Sequence, residues 1–225
     1  MRRVLTALVL GCTASMCTVH AEQAATRPAA TSLTRPKSAT LPVDARGFIR
    51  RWLVLEPVPV PGMLTESAVE EAVQSAMIPG SMDSLPRDSE VVTLRNSSVT
   101  WHALDTVNYN LNLYHFAWPL SKPTSNVLFW VTTTVDSPRE MHGVRLAIGS
   151  NAASRWWLNG ERVIALNDDR QTVVDDGVSR RTTLRKGPNV IRAAIVNGGG
   201  ATDFCARFLD ENDQPITGLS ISLPR

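Results

Sequence analysis

The stretch 146–208, LAIGSNAASRWWLNGERVIALNDDRQTVVDDGVSRRTTLRKGPNVIRAAIVNGGGATDFCARF, constrains the fold more than any other part of the chain. Short apolar or alternating runs are each closed by strong turn chemistry. Asn159-Gly160 joins WWL to ERVI, Lys186-Gly187-Pro188-Asn189 feeds VIRAAIV, and Asn197-Gly198-Gly199-Gly200 ends that run before DFCARF. An Asn-Gly pair between two strand-like runs supplies the positive φ values of a type I′ turn, so a hairpin is predicted at 158–161. Gly198-Gly199-Gly200 lies between two strands and reads as a turn, not as a nucleotide cradle.

Similar patterns extend upstream. NVLFWVTTTV puts Val127, Phe129, Val131 and Val135 on one face and Leu128, Trp130, Thr132 and Thr134 on the other. Val144, Leu146 and Ile148 alternate, as do Ile191, Ala193 and Ile195, and Phe204, Ala206 and Phe208. VNYNLNLYHF reads as a strand with Asn108, Asn110 and Asn112 on one side and Tyr109, Leu111, Leu113 and His115 on the other. FIRRWLVLEPVPV is a first strand, Phe48 to Val60, stopped by Pro57, Pro59 and Pro61. One helix is predicted over LTESAVEEAVQSAMI. Ser67 and Glu70 stand at capping-box spacing, Thr65 is a rival cap, and Pro79-Gly80 terminates it. Residues 81–98 read as loop with a short strand at Val91–Leu94. One short helix among seven or eight strands predicts an all-β sandwich or jelly roll.

The N-terminus bears on the compartment. Arg2-Arg3 precede the apolar run VLTALVLG, and Val19-His20-Ala21 forms a small-residue cleavage site before Glu22, so residues 1–21 read as a secretory signal. The run is too short to span a bilayer. Cys12 after Leu10-Gly11 leaves a lipoprotein signal open as an alternative. Export predicts a periplasmic or extracellular protein. Residues 22–46, rich in Ala, Thr, Ser and Pro, read as a flexible linker, and residues 47–225 as one domain. Cleavage removes Cys12 and Cys17 and leaves Cys205, so no intrachain disulfide is expected. It also takes Lys+Arg from 23 to 21 by removing Arg2 and Arg3, against 21 acids, so the mature net charge is zero. No basic surplus marks a nucleic-acid partner. Arg180-Arg181 with Arg185-Lys186 reads as a solvated strand face.

On IGSNAASRWWLNGERVI followed by RKGPNVIRAAIVNGGGATDFCARF, the chain resembles galactose-binding-like jelly-roll domains of secreted bacterial carbohydrate-active proteins. Many of these read G-S-D-D-G-x-x-V-W-x-N-G, then a K-G-x-N strand and an N-G-G-G turn before G-F-x-x-R. The calcium-dependent protective-antigen-type lectin domain has a related S-D-D-G-S hairpin. The resemblance covers Leu146–Leu209 well and Phe48–Leu55 and Trp101–Phe116 loosely. It implies a carbohydrate-binding β-sandwich, and chains of this kind occur with, or are named as, acetyl xylan esterases. Where the motif has Asp-Asp-Gly this chain has Asn151-Ala152-Ala153, and Ala152 removes a carboxylate that Ca²⁺ would need. Asp168-Asp169 and Asp175-Asp176-Gly177 read as turns, so no metal and no cofactor is expected.

Three functions follow as alternatives. The first is an exported accessory domain that binds a plant polysaccharide, xylan being the first guess, beside an esterase or glycosidase. The second is an acetyl xylan esterase-type hydrolase, although G-x-S-x-G and H-E-x-x-H are absent and a triad drawn from Ser97 or Ser98, His102 and Asp105 has no local support. The third is a scaffold that docks a protein partner. Sugar recognition needs aromatic faces and hydroxyl-directed polar groups. Trp156 and Trp157 are adjacent on a strand and face opposite ways. Trp156, sharing a face with Leu158, goes to the core and Trp157 becomes the first-choice platform. Trp130, Arg155, Trp101, His102, Asn108, Asn110 and Tyr114 complete the candidate surface. Arg155 alternatively pairs with Asp168 or Asp169. His115, beside Leu111 and Leu113, reads as a satisfied core histidine.

Overall fold

The computed structural model describes residues 33–80, 85–95 and 97–224, and the signal segment with the first part of the expected linker lies outside them. Among the described residues sixteen strands form: β1 (Leu33–Thr34), β2 (Thr40–Pro42), β3 (Arg51–Leu55), β4 (Val58–Pro59), β5 (Val91–Leu94), β6 (Ser97–Thr106), β7 (Leu111–Asn112), β8 (Val127–Ser137), β9 (Met141–Ser150), β10 (Ala153–Leu158), β11 (Glu161–Leu166), β12 (Gly177–Val178), β13 (Thr182–Leu184), β14 (Gly187–Asn197), β15 (Asp203–Leu209) and β16 (Ser220–Ser222). Helix α1 spans Glu66–Ser75 and α2 spans Leu113–Ala117.

The strands make a two-sheet β-sandwich. The large sheet runs β1-β6-β3-β8-β14-β10-β11, with β2, β4, β5 and β16 attached, and the small one runs β12-β9-β15-β7, with β13 beside β9. The main core lies between the sheets. It takes Trp52, Phe129, Val131, Trp156, Ile191 and Ile195 from the large sheet and Val144, Leu146, Ile148, Phe204 and Phe208 from the small one. A second apolar cluster lies on the other face of the large sheet, where Val69, Ala72 and Val73 of α1 pack with Leu53, Leu55, Trp101, Leu128, Trp130 and Val196. Residues 127–135 of β8 are therefore buried on both faces, which is why that run is almost continuously apolar.

Local signals act as read at the hairpin. Asn159 and Gly160 have φ +52° and +85°, and Leu158 pairs with Glu161. The helix does not use its capping box. Thr65 is the N-cap without a side-chain bond, and the Glu70 carboxylate turns instead to Arg155 of β10 at 2.7 Å.

Three elements differ from expectation. Residues 33–46, read as linker from composition, join the sandwich: β1 pairs with β6, β2 pairs with β16, and Val43 is buried. Backbone pairing needs no apolar sequence, so Ala/Thr/Ser/Pro composition concealed it. The first strand is divided into β3 and β4 by Glu56-Pro57, and Phe48 bridges to Arg207 on the small sheet. The long strand expected over 107–116 is a two-residue β7 followed by α2. Asn112 Oδ1 accepts the His115 N–H at 2.9 Å as an N-cap, and Leu113, Phe116 and Ala117 are buried at helical spacing. His115 is half-buried, and its Nδ1 has no hydrogen-bond partner among the described residues, so it is not a satisfied core histidine.

Candidate functional site

Burial sorts the six tryptophans. Trp52, Trp101, Trp130 and Trp156 are sealed, each at 1% exposure or less, while Trp118 and Trp157 keep solvent-accessible surface. The division on β10 is as read: Trp156 points into the main core beside Leu158, and Trp157 faces the other way. That second face is not an open surface. The Trp157 ring lies 5.7 Å from that of Trp130, within the cluster covered by α1. Trp130 is itself fully buried, its indole N–H donating to the Ala76 carbonyl at the end of α1 at 2.8 Å. Thr132 and Thr134 are buried too. The platform expected on Trp157 and Trp130 is thus the seat of a helix, because α1 needs an apolar face to pack on.

Arg155 is fully buried and belongs to the same seat. Its guanidinium reaches Glu70 at 2.7 Å, the Leu166 carbonyl at 2.8 Å and Asn167 Oδ1 at 2.9 Å. Glu70 also accepts from Arg162 at 2.8 Å. Burial opposes ionisation of Glu70, but Arg155 and Arg162 outweigh it and hold the carboxyl below its ordinary range. Asp168 and Asp169, the partners expected for Arg155, are not the groups that hold it. Trp101 is likewise sealed, its indole N–H without a partner among the described residues.

The remaining candidates lie in or against the segment 108–118. Asn110 donates to Asp203 Oδ2 at 2.6 Å, and Thr172 donates to the other oxygen of that carboxylate. Asn151 closes the cluster by accepting the Asp203 N–H at 2.8 Å. Asn108 is exposed, its carbonyl accepting from Thr106. Tyr114 is half-buried and meets Trp118 edge to face, with ring centroids 4.9 Å apart. Tyr114 stands in α2 and Trp118 is its C-cap, still in right-handed helical conformation at φ −56° and ψ −51°, so the two lie one turn apart on the same side.

The chain then folds back. Ser121 takes a left-handed conformation at φ +55°, and the Lys122 N–H bonds to the Ala117 carbonyl at 3.1 Å. Trp118, Ser121, Lys122 and Thr124 line an open cleft of about 230 Å³. Behind it, Lys122 Nζ lies 3.1 Å from Glu56, whose other oxygen is 3.4 Å from His102 Nε2. His102 packs against Phe116 at 5.4 Å. Burial pushes Glu56 up, but Lys122, the Thr100 N–H and His102 together bring its carboxyl below the ordinary range. His102 therefore pairs with Glu56, while Asp105 is engaged by Arg51 at 2.7 and 2.9 Å. The Ser–His–Asp triad that can be drawn in the sequence is not assembled.

The arrangement offers an aromatic edge-and-face pair beside a cation, two hydroxyls and a buried carboxylate. Trp118, Lys122 and Glu56 were not singled out in the sequence. The available signal was the Tyr114/Trp118 spacing, which a strand reading of 107–116 conceals.

No protein family matches the sequence, and no curated protein does. Among solved structures, a PA14 sugar-binding domain from an RTX adhesin superposes with TM-score 0.43 at 12% identity, covering 78% of this chain and 100% of that one. The PA14 domain of the MpAFP antifreeze protein gives TM-score 0.37 at 13% identity, covering 74% and 90%. A β-glucosidase from Kluyveromyces marxianus in complex with glucose gives TM-score 0.30 at 19% identity, over 39% of this chain and 11% of the other.

At the position of the motif carboxylates, Ala152 is buried in the main core. Asp168 and Asp175 both adopt left-handed turn conformations, at φ +65° and +60°. Asp175 pairs with Arg207, and Asp176 with Arg170.

Proposed function

We propose that the chain is an exported carbohydrate-binding domain whose sugar contact is the Tyr114–Trp118 pair. One observation carries the reading: Trp118 is the partly exposed tryptophan that lines an open cleft, with Lys122, Ser121 and Thr124 around it. Pyranose rings present an apolar C–H face rimmed by hydroxyls, which suits an aromatic ring flanked by donors and acceptors. The signal-like N-terminus supports export, with a mature chain beginning at Glu22. The motif resemblance supports a plant polysaccharide, xylan first, bound beside an esterase or glycosidase partner.

The test is an affinity screen against plant polysaccharides with the wild type, Trp118→Ala and Trp157→Ala. Truncating a central aromatic contact costs at least about 2 kcal/mol, or roughly thirtyfold in affinity. Trp118→Ala is expected to lose that much and Trp157→Ala to bind as the wild type does once its fold is verified. Absence of binding to every polysaccharide, or undiminished binding by Trp118→Ala, overturns the proposal.

A further inference from the structure

The turn entering the sandwich holds a differently built feature, centred on Arg46. Asp44 Oδ1 accepts the N–H groups of Arg46 at 2.8 Å and Phe48 at 2.9 Å. The Asp44 carbonyl accepts from Gly47 at 2.9 Å, and the Arg46 carbonyl accepts from Arg207 at 3.1 Å. Gly47 has φ +81°, and a Cβ there would stand 2.9 Å from the Ile216 carbonyl oxygen, so the turn is tied to one geometry. The backbone of Arg46 is held before any ligand arrives.

Its side chain is also placed. The guanidinium carbon lies 4.8 Å from the Tyr109 ring centroid and 5.0 Å from that of Phe48, and the two rings are 5.0 Å apart. Arg207 lies over the same Phe48 ring at 4.8 Å but is engaged by the Asp175 carboxylate. Arg46, by contrast, forms no ion pair among the described residues, and it is exposed. A guanidinium supported by aromatic faces keeps its N–H edge for bidentate recognition of a planar oxyanion. Its rotamer freedom is already reduced, so less is lost on binding.

We propose that Arg46 and Tyr109 form a subsite for the carboxylate of a sugar acid. Asn108, exposed and next to Tyr109 in the chain, offers an amide to the sugar hydroxyls. The proposal rests on the carbohydrate reading and deepens it: the glycan is acidic, such as a xylan bearing glucuronic acid branches. Tyr109 and the Tyr114–Trp118 pair are joined in the chain through β7 and α2.

The first arm of the test follows the Tyr109 ring and arginine Nε signals by NMR. Glucuronate, glucose or inorganic sulfate is added at equal ionic strength to the wild type, Arg46→Gln and Arg46→Lys. Glucuronate is expected to move these signals, glucose and sulfate much less, and Arg46→Gln to lose the response while Arg46→Lys keeps part of it. The second arm compares xylo-oligosaccharides with and without a glucuronic acid branch. The branched one is expected to bind about fivefold tighter at low salt, the scale of one partly exposed ion pair. That preference should vanish in Arg46→Gln with the neutral affinity unchanged. An equal response to glucose or sulfate, or a wild-type response from Arg46→Gln, overturns the subsite. If glucuronate moves the Arg46 signals but linear oligosaccharides do not bind, the Tyr114–Trp118 contact fails and the subsite stands.

Discussion

Replacing the adjacent tryptophans of β10 one at a time should produce very different losses of stability. Trp156 is fully buried, meets Trp52 at 6.3 Å and Phe204 at 5.5 Å edge to face, and donates its indole N–H to Ser154 Oγ at 3.0 Å. Truncating a large core aromatic costs about 3–5 kcal/mol through lost transfer energy and the cavity left behind. Two aromatic pairs, each worth roughly 0.5–1.5 kcal/mol, put Trp156→Ala near 5 kcal/mol, a large share of a typical domain's stability. Trp157 is half-buried and, among the described residues, its ring contact is with Trp130. Its loss removes less apolar area and opens a site that water and α1 can fill, so about 2 kcal/mol is expected. Urea unfolding of both variants measures the difference directly. Equal losses, or a Trp156→Ala loss below about 2 kcal/mol, would refute the assignment of faces.

Four further outcomes are expected. Gly160→Val should cost about 1–3 kcal/mol by thermal or urea unfolding, and through the backbone alone, because φ is +85° and, among the described residues beyond its chain neighbours, no atom lies within 4 Å of an added Cβ. Acid should weaken the fold at Glu56. Its folded pKa lies below the ordinary 4.5, so the stabilisation is complete above that value and is lost as pH falls through the lower folded one. Lys122→Met should flatten that part of the stability–pH curve. Cys205 is buried and its thiol is pushed up to about 11 by that burial, so it should react with a disulfide reagent at pH 8 at least about a hundredfold slower in the folded than in the unfolded protein. Carbohydrate affinity should survive a chelator, since Ala152 stands where the resembled motif has a carboxylate; loss in EDTA that calcium restores would refute this.

Much of the architecture was legible in the residues. The Asn159-Gly160 turn, the opposed faces of Trp156 and Trp157, and the alternations in β8, β9, β14 and β15 follow from strand periodicity and turn stereochemistry, which are local. What covers the second face of the large sheet is not local. The sequence presents Leu128, Trp130 and Trp157 on that face without saying that α1 will lie on it, and Glu70 joins Arg155 across 85 positions of chain. The same holds for Arg46, placed in a linker by its neighbours' composition and brought against Tyr109 by the return of the chain. Asn112 also shows the limit, since a strand pattern and an N-cap can share one sequence and packing of Leu113, Phe116 and Ala117 chooses the helix. Period and turn chemistry determine which residues share a face; only the packed sandwich decides which of those faces meets water, and a ligand can reach only those.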